Sequence, residues 1–327
     1  MPVNSNHLSM LLGQTHPNVG QYFDHTNHIA PPSGQATRDI YNNEILNAPQ
    51  NIRAAHHAPE AEDGASPKIV VVAPHSGTRF LLKHYGHINS DHPSDLPSRG
   101  FAESTSQALY HAAGIGDLHQ SSHVALHDVN GRQEPMVVIP MSPDHKQVYK
   151  ATWDEMNDLT HNEQTGKDAR KISIMDFLGE NGDRHAGNYM FNQKGRLLAI
   201  DNAEGLDYHN GHGYDHFQRY MTKLSGGENT DWKDDLGWWT TQKGNIVRAM
   251  DRELNGVKNP KLRSHIAANF KARTRFLDGL AETGFVGGSY GNISRNVDFF
   301  GTNIWREYDK YMYEGSNYDK HIYDEEE

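Results

Sequence analysis

Three oxygen-bearing side chains follow one another within a single stretch of the chain, 177-FLGENGDRHAGNYMFNQKGRLLAIDNAEG-205. Asp183 and Asn188 lie in a polar loop, and Asp201 comes directly after the apolar run 196-RLLAI-200. Carboxylate and amide oxygens are the ligands that Mg²⁺ prefers, usually together with phosphate oxygens. The stretch therefore indicates a site for a divalent metal and a phosphate chain. The simpler alternative is a polar loop stabilised by Asx turns and a helix N-cap.

The segments before this stretch predict a small antiparallel sheet with one helix. Four runs rich in β-branched and apolar residues are typical of strands: 68-KIVVVA-73, 79-RFLLKHY-85, 123-HVALHDV-129 and 134-EPMVVIPM-141. The last two are joined by Asn130-Gly131, a strong hairpin signal. Between the two pairs, residues 103–114 have apolar residues at helical spacing, and Gly114 can end that helix.

The rest of the chain is mainly helical in pattern. Helices are predicted over 153–164 and 168–180 and again between 245 and 282, with two short strands at 189–191 and 196–200. We therefore predict an α+β fold with a β-rich lobe over residues 67–145 and a helical lobe over residues 146–327, which ends in an acidic tail. Residues 1–66 are rich in Asn, His, Pro, Gly and Ala and predict an extended N-terminal arm or linker.

Composition excludes several classes of protein. The 327 residues carry a formal net charge of −11, so no electrostatic footprint for nucleic acid is expected. Without cysteine, neither disulfides nor thiolate chemistry is available, which fits a reducing compartment. No apolar run is long enough for a transmembrane helix, and the N-terminus is a poor signal peptide. A cytoplasmic protein, or one carried in a viral particle, is expected.

The spacing within the stretch 177–205 resembles the catalytic and metal-binding segments of kinases. Asp183 and Asn188 are five positions apart, and Asp201 follows a hairpin, as in protein kinases. The sequence 182-GDRHAGN-188 is similar to the G-D-R-H-x-x-N loop of atypical kinases, especially phosphatidylinositol 3-/4-kinases. HipA-type and secretory-pathway kinases share the same general plan. The resemblance implies a two-lobed, protein kinase-like fold.

The resemblance also implies a role for each matching residue. Asp183 would orient or deprotonate the acceptor hydroxyl group. Asn188 and Asp201 would hold the Mg²⁺ or Mn²⁺ that accompanies ATP. Arg184 and His185 complete the catalytic motif, and His185 would contact the transferred phosphoryl group.

Two upstream residues match the family pattern as nucleotide-binding groups. Lys83, in the second predicted strand, stands where kinases place the lysine that binds nucleotide phosphates. Glu103 begins the predicted helix and would pair with it. The implied function is an ATP- and metal-dependent phosphotransferase, a protein Ser/Thr kinase of atypical type in the first place. A lipid or small-molecule acceptor is the alternative.

Departures from the kinase pattern support a different hypothesis. No glycine-rich phosphate loop precedes Lys83, Asp201 is followed by Asn-Ala, and no A-P-E element occurs. A catalytically inactive kinase-fold protein would tolerate these changes. It would serve as a binding or structural component of a larger assembly, such as a viral particle, with a partner holding the N-terminal arm.

A histidine cluster offers a third possibility, metal-dependent hydrolysis. The segment 209-HNGHGYDHF-217 contains His209, His212 and His216, with Asp207 and Asp215 beside them. These residue types can hold zinc or another transition metal. Since the chain contains 22 histidines, local clusters arise by chance, and a solvated loop is the simpler interpretation.

Overall fold

The computed structural model describes residues 35–46, 53–54, 68–84, 98–129, 132–181, 184–202, 205–206, 232–258 and 260–282. Within these ranges the fold is α+β, with two antiparallel sheets and several helices. None of the helices in the described ranges is long and apolar enough to cross a bilayer.

A five-stranded sheet forms the first half of the chain. Its strands are β1 (Arg53–Ala54), β2 (Lys68–Val72), β3 (Arg79–His84), β4 (His123–Val129) and β5 (Arg132–Pro140). They pair in the order β1-β2-β3-β5-β4, and every neighbouring pair is antiparallel. Strands β2 to β5 confirm the four predicted strands to within two residues, whereas β1 has no counterpart in the prediction.

The outer face of this sheet is covered by a helical segment. Helix α1 (Gln35–Tyr41) runs into a π-helical turn (Asn42–Leu46), and its Tyr41 and Ile45 are fully buried against Phe80 and other outer-face residues. The Tyr41 hydroxyl also contacts the His127 ring at 2.5 Å. Of the segment 1–66, the structure thus describes α1 with its turn, which packs on the sheet, and β1, which is the edge strand beside β2. Residues 1–34 lie outside the described residues, and the arm remains a prediction there.

The inner face of the sheet packs against helix α2 (Ser98–Ala112) and the larger hydrophobic core. Side chains alternate between the two faces of a strand. Accordingly Phe80 and Leu82 of β3 join the outer cluster, while Leu81 contacts the inner core. Helix α2 begins five residues before the predicted start, so Glu103 lies in its second turn. Gly114, with φ of +71°, follows the helix end, a conformation that glycine adopts without steric cost.

The second half begins with two capped helices and a small sheet. Helix α3 (Trp153–His161) starts with a capping box of Thr152 and Glu155, and α4 (Glu163–Leu178) starts at Asn162, whose side chain accepts two backbone N–H groups. Strands β6 (His145–Gln147), β7 (Tyr189–Asn192) and β8 (Leu197–Ala199) form the second sheet. Only β6 was not predicted.

Two long helices complete the described fold. Helix α5 (Lys233–Leu254) begins twelve residues before the predicted helical region, and α6 (Pro260–Glu282) follows it. Trp232 and Trp239 are both buried in the larger core, so both side chains serve packing. Helix α5 also packs on α2, the helix that carries Glu103 and lies against the inner face of the first sheet.

Candidate functional site

Lys83 is the centre of a cluster of charged side chains on the inner face of the sheet. It lies two residues after Leu81, on the same face of β3, and faces α2 rather than α1. Its Nζ lies 2.8 Å from Oδ1 of Asp201 and 3.8 Å from Oε2 of Glu103. The structure therefore brings together three of the predicted site residues, which come from β3, from α2 and from the end of β8.

Glu103 is almost completely buried beside this lysine. Burial raises the pKa of its carboxyl group, the charge of Lys83 opposes that rise, and the charge of Asp201 adds to it. The carboxylate also accepts a hydrogen bond from the Asn202 N–H, at 3.0 Å. Glu103 thus joins the lysine on β3 to the backbone directly after Asp201.

Asp201 has a backbone conformation that non-glycine residues rarely adopt. Its φ is +53°, in the left-handed region, while its side chain is 41% exposed. Such conformations cost about 1–3 kcal/mol and persist where neighbouring contacts hold them. The contact on one side is the Ile200 N–H, which donates to the Asn188 carbonyl at 3.1 Å, and on the other side it is the Asn202 N–H described above.

Asn188 and His185 belong to one short 3₁₀ turn. The buried Asn188 ends the turn Ala186–Asn188, and its N–H donates to the His185 carbonyl at 2.9 Å. His185 is exposed, and its Nδ1 accepts the Gly187 N–H at 2.9 Å. The backbone bond between Ile200 and Asn188 sets this turn beside Asp201. Asp183 lies outside the described residues, so its role in the site stays a prediction.

The buried Arg184 side chain joins the two loops of the site, one around Asn188 and the other around Asp201. Its side chain has no exposed area, and all five of its N–H groups donate within the protein. Nε and one Nη2 hydrogen bond reach the two oxygens of Asp176, at 2.9 Å each, and Nη1 reaches the carbonyls of Asn188 and Ile200. The remaining Nη2 bond reaches the Asn202 side chain. Through these bonds Arg184 holds Asn188, Ile200 and Asn202 in place around the site.

Asn202 is a buried polar hub that sequence reasoning missed. Its Oδ1 accepts from Arg184 and from Asn181, and its Nδ2 contacts Nε2 of His119 at 2.7 Å. His119 places Nδ1 on the Gln120 carbonyl, which can only accept, so Nε2 is the acceptor for Asn202 and the ring is neutral. Burial correspondingly lowers the pKa of His119 to about 3. Every polar group of the Asn202 side chain therefore has a partner.

A cavity of about 670 Å³ opens beside this cluster. Its apolar lining includes Leu81, two residues before Lys83, and Ile200, directly before Asp201, together with Met141 and Met190. The turn between β2 and β3 forms one rim. Its charged lining residues are Arg79, Lys146 and Lys150, and no aspartate or glutamate lines it.

The described residues contain no cluster of side chains typical of a zinc site or another transition-metal site. Within these ranges, no group of three or more His, Asp or Glu side chains is arranged to hold a metal ion. The oxygen donors Asn188 and Asp201 remain, and they fit Mg²⁺ or Mn²⁺, which usually takes one or two protein ligands and completes its shell with phosphate and water. The segment containing His209, His212 and His216 lies outside the described residues.

Comparisons with known proteins show a distant similarity at the level of structure and none at the level of sequence. No family model and no curated protein sequence matches the chain. Among solved structures, the chain is similar to the proinflammatory kinase CtkA of Helicobacter pylori, with a TM-score of 0.46 and 12% identity over 71% of this chain and 94% of that chain.

Proposed function

We propose that this chain is an ATP- and divalent-metal-dependent phosphotransferase with the two-lobed plan of protein kinases. The observation that carries the proposal is the position of Lys83. Its ammonium group lies 2.8 Å from the Asp201 carboxylate and 3.8 Å from the Glu103 carboxylate, on the inner face of the sheet. A lysine fixed between two acids, beside a large cavity, is suited to bind an anionic ligand without losing its orientation.

The charges of the cavity support an anionic, partly apolar ligand. The whole chain carries a net charge of −11, yet the charged lining residues are two lysines and an arginine, with no acid among them. Leu81, Met141, Met190 and Ile200 supply apolar surface in the same cavity. A nucleoside triphosphate combines the two properties, since its base is flat and weakly polar and its phosphates are strongly anionic.

Each predicted site residue has a task in this proposal. Lys83 binds phosphate oxygens, Glu103 holds the lysine, and Asn188 and Asp201 would hold the metal. The bound metal would neutralise charge that develops on the phosphates. In the transfer, the bond from the γ-phosphorus to the ADP oxygen breaks, and a bond to the acceptor oxygen forms. The hydroxyl proton of the acceptor passes to the carboxylate of Asp183.

The acceptor we propose first is a serine or threonine hydroxyl group in a protein. A net charge of −11 disfavours docking on an anionic membrane surface, which places phosphoinositide headgroups second. Small-molecule alcohols are a further class. The acceptor classes are separated by supplying each with the same labelled ATP.

The test is label transfer from γ-labelled ATP with Mg²⁺ or Mn²⁺ to three acceptor mixtures: cell-extract proteins, phosphoinositide vesicles and small alcohols. Asp183→Ala and Asp201→Asn are each expected to lower transfer at least about 100-fold. Asp251→Asn, at an exposed position of α5, is the matched control and should leave transfer unchanged. ATP binding is measured in parallel for the native protein and for Lys83→Met, which should weaken it.

Two outcomes would overturn the proposal in different ways. ATP binding without transfer to any acceptor, the protein itself included, would identify the chain as an inactive kinase-fold protein that uses the nucleotide as a ligand. Neither binding nor transfer would remove the nucleotide altogether. The alternative of a structural component in a larger assembly would then take its place.

A further inference from the structure

The turn between β2 and β3 forms a rim of the cavity and lacks the glycine-rich sequence expected for binding phosphates. Ser76, Gly77 and Thr78 of this turn line the cavity. Gly77 has φ of +70°, so the reversal of the chain uses the one glycine available between the strands. The shape of this short turn is fixed by hydrogen bonds to its backbone N–H groups.

All four backbone N–H groups from residue 75 to residue 78 are already used within the protein. The N–H of Gly77 donates to the Ala73 carbonyl at 3.0 Å, and the N–H of Thr78 donates to the Ser76 hydroxyl at 3.3 Å. The N–H groups of His75 and Ser76 both donate to a single oxygen, Oε2 of Glu44, at 2.8 and 3.0 Å. Backbone N–H groups of this turn are therefore not directed at a ligand in the cavity.

Glu44 reaches the turn from the side of the sheet opposite to the cavity. It belongs to the π-helical turn after α1, whose Tyr41 and Ile45 pack on the outer face, whereas the cavity is lined by Leu81 of the inner face. The hydrogen bond from the Ser76 N–H, followed by that from His75, lowers the pKa of the Glu44 carboxyl group despite the opposing effect of desolvation. At neutral pH the turn is thus held by a full negative charge.

We propose that Glu44 is a positioning residue that fixes the β2–β3 turn over the cavity and thereby sets the affinity of the protein for nucleotide. Phosphate oxygens are then met by side chains, those of Thr78 and Arg79 in the cavity lining and that of Lys83 beside the cavity, in place of the backbone N–H groups of a glycine-rich loop. This proposal rests on the proposed function. In this proposal, the helical segment 35–46 positions the β2–β3 turn although the segment does not line the cavity.

The experiment compares ATP dissociation constants, with and without Mg²⁺, for the native protein, Glu44→Ala and Glu44→Gln. Loss of the two charge-assisted hydrogen bonds in Glu44→Ala is expected to weaken binding about ten-fold. Glu44→Gln should recover most of the affinity, because its one carbonyl oxygen can accept both N–H groups. Asp39→Ala is the matched control, since Asp39 is an acid of α1 whose carboxylate bonds to Gln35.

Amide hydrogen exchange at His75 and Ser76 gives a second readout that does not depend on ATP. Exchange at both amides should accelerate in Glu44→Ala and stay slow in Glu44→Gln and in Asp39→Ala. If Glu44→Ala does not fold, Glu44→Asp replaces it, because the shorter side chain keeps the charge but withdraws the carboxylate from the turn.

The results separate this proposal from the proposed function. If the native protein binds no ATP, the proposed function fails. If the native protein binds ATP and Glu44→Ala binds it equally well, the positioning role of Glu44 is overturned while the proposed function stands. A lower affinity in Glu44→Ala that Glu44→Gln does not restore would also contradict the positioning role.

Discussion

The guanidinium group of Arg184 meets the carboxylate of Asp176 through two parallel hydrogen bonds, from Nε to Oδ2 and from Nη2 to Oδ1, each 2.9 Å long. The two side chains are 0% and 2% exposed. Because the other N–H groups of Arg184 hold the carbonyls of Asn188 and Ile200, this buried pair fixes the two loops that carry the proposed metal ligands. The pair therefore links the stability of the fold to the geometry of the site.

Arg184→Met should be one of the most destabilising single substitutions in the chain. It leaves the Asp176 carboxylate buried without its cation, which costs about 3–5 kcal/mol in free energy of unfolding. The double variant Arg184→Met/Asp176→Leu should recover part of that loss, since both charges are then absent. Urea unfolding of the single and double variants measures the coupling. Arg248→Met, at an exposed position of α5, is the control and should change stability by less than about 0.5 kcal/mol.

Strict additivity of the two single substitutions would contradict this prediction. It would mean that Arg184 and Asp176 contribute to stability independently, and that the loops are held by their other contacts. Either result leaves the pairing of Lys83 with Asp201 to be tested separately.

Four of the five strands of the first sheet were predicted from the sequence because their signals are local, whereas the two-residue strand β1 was missed. Runs of β-branched residues and turn residues are contained within each hairpin, so β2 to β5 agree with the prediction to within two residues. The strand β6 was missed because its three residues, His145 to Gln147, are polar and lie on a sheet that only β7 reveals.

The remaining site residues were missed because their signal is not local. Asp176 lies within a helix and Asn202 within a loop, and neither differs from an ordinary surface residue until its partners are known. The partners of Asn202 are distant in sequence, since it meets Glu103 across 99 positions and His119 across 83. The partner of Asp176 is Arg184, eight positions away, but the two are joined only when the loop after α4 folds back on the helix. Helix α1 was missed for a similar reason, since its burial depends on the sheet that Tyr41 and Ile45 cover.

Three buried histidines should make the stability of the fold depend on pH. Burial is the main cause that lowers the pKa of His119 to about 3 and those of His123 and His127 to about 4. The unfolded chain takes up these protons near pH 6.5, whereas the folded protein does not until about pH 4. Their contribution is therefore complete above pH 6.5 and is lost as the pH falls towards 4, with a limiting slope of about 4 kcal/mol per pH unit.

Replacing one of these histidines removes one proton from the difference in proton binding between the unfolded and the folded protein, which should lower the pH slope of stability. His123→Leu is expected to lower it by about 1.4 kcal/mol per pH unit, measured by urea unfolding between pH 4.5 and 7.5. His161→Gln, at an exposed position of α3, is the control. An unchanged slope in His123→Leu would mean that His123 is already protonated in the folded protein at pH 5.

Gly187 should affect phosphoryl transfer only through His185. A Cβ atom at Gly187 would lie 2.6 Å from Cε1 and 2.9 Å from Nδ1 of the His185 ring, so Gly187→Ala must displace that ring. If His185 contacts the transferred phosphoryl group, kcat should fall about 10- to 100-fold. In a His185→Ala background the same substitution should have little further effect. Gly237→Ala, where a Cβ meets no atom within 4 Å, is the control.

One outcome of this double-mutant comparison of kcat would contradict the prediction. An equal loss of kcat from Gly187→Ala with and without His185 would show that the glycine acts on the turn Ala186–Asn188 itself. The role that the motif assigns to His185 would then lack support.

Asp201 offers a test of the site geometry that needs no activity. Asp201→Gly and Asp201→Ala both remove the carboxylate and its contact with Lys83, so they differ only in how the residue tolerates φ of +53°. Glycine adopts that conformation freely, whereas alanine pays for it, and Asp201→Gly should be more stable by about 1 kcal/mol. At Asn245, in the middle of α5, the same pair should differ by about 1 kcal/mol in the opposite direction.

Urea unfolding of the four variants measures both differences. If Asp201→Ala were as stable as Asp201→Gly, the fold would not require a left-handed backbone at position 201. The difference in free energy of unfolding between the Gly and Ala variants is expected to have opposite signs at positions 201 and 245. That result would show that the backbone of Asp201, the proposed metal ligand, is strained. The Ile200 N–H bond to Asn188 and the Asn202 N–H bond to Glu103 hold the backbone on either side of Asp201, so these two bonds maintain its left-handed conformation.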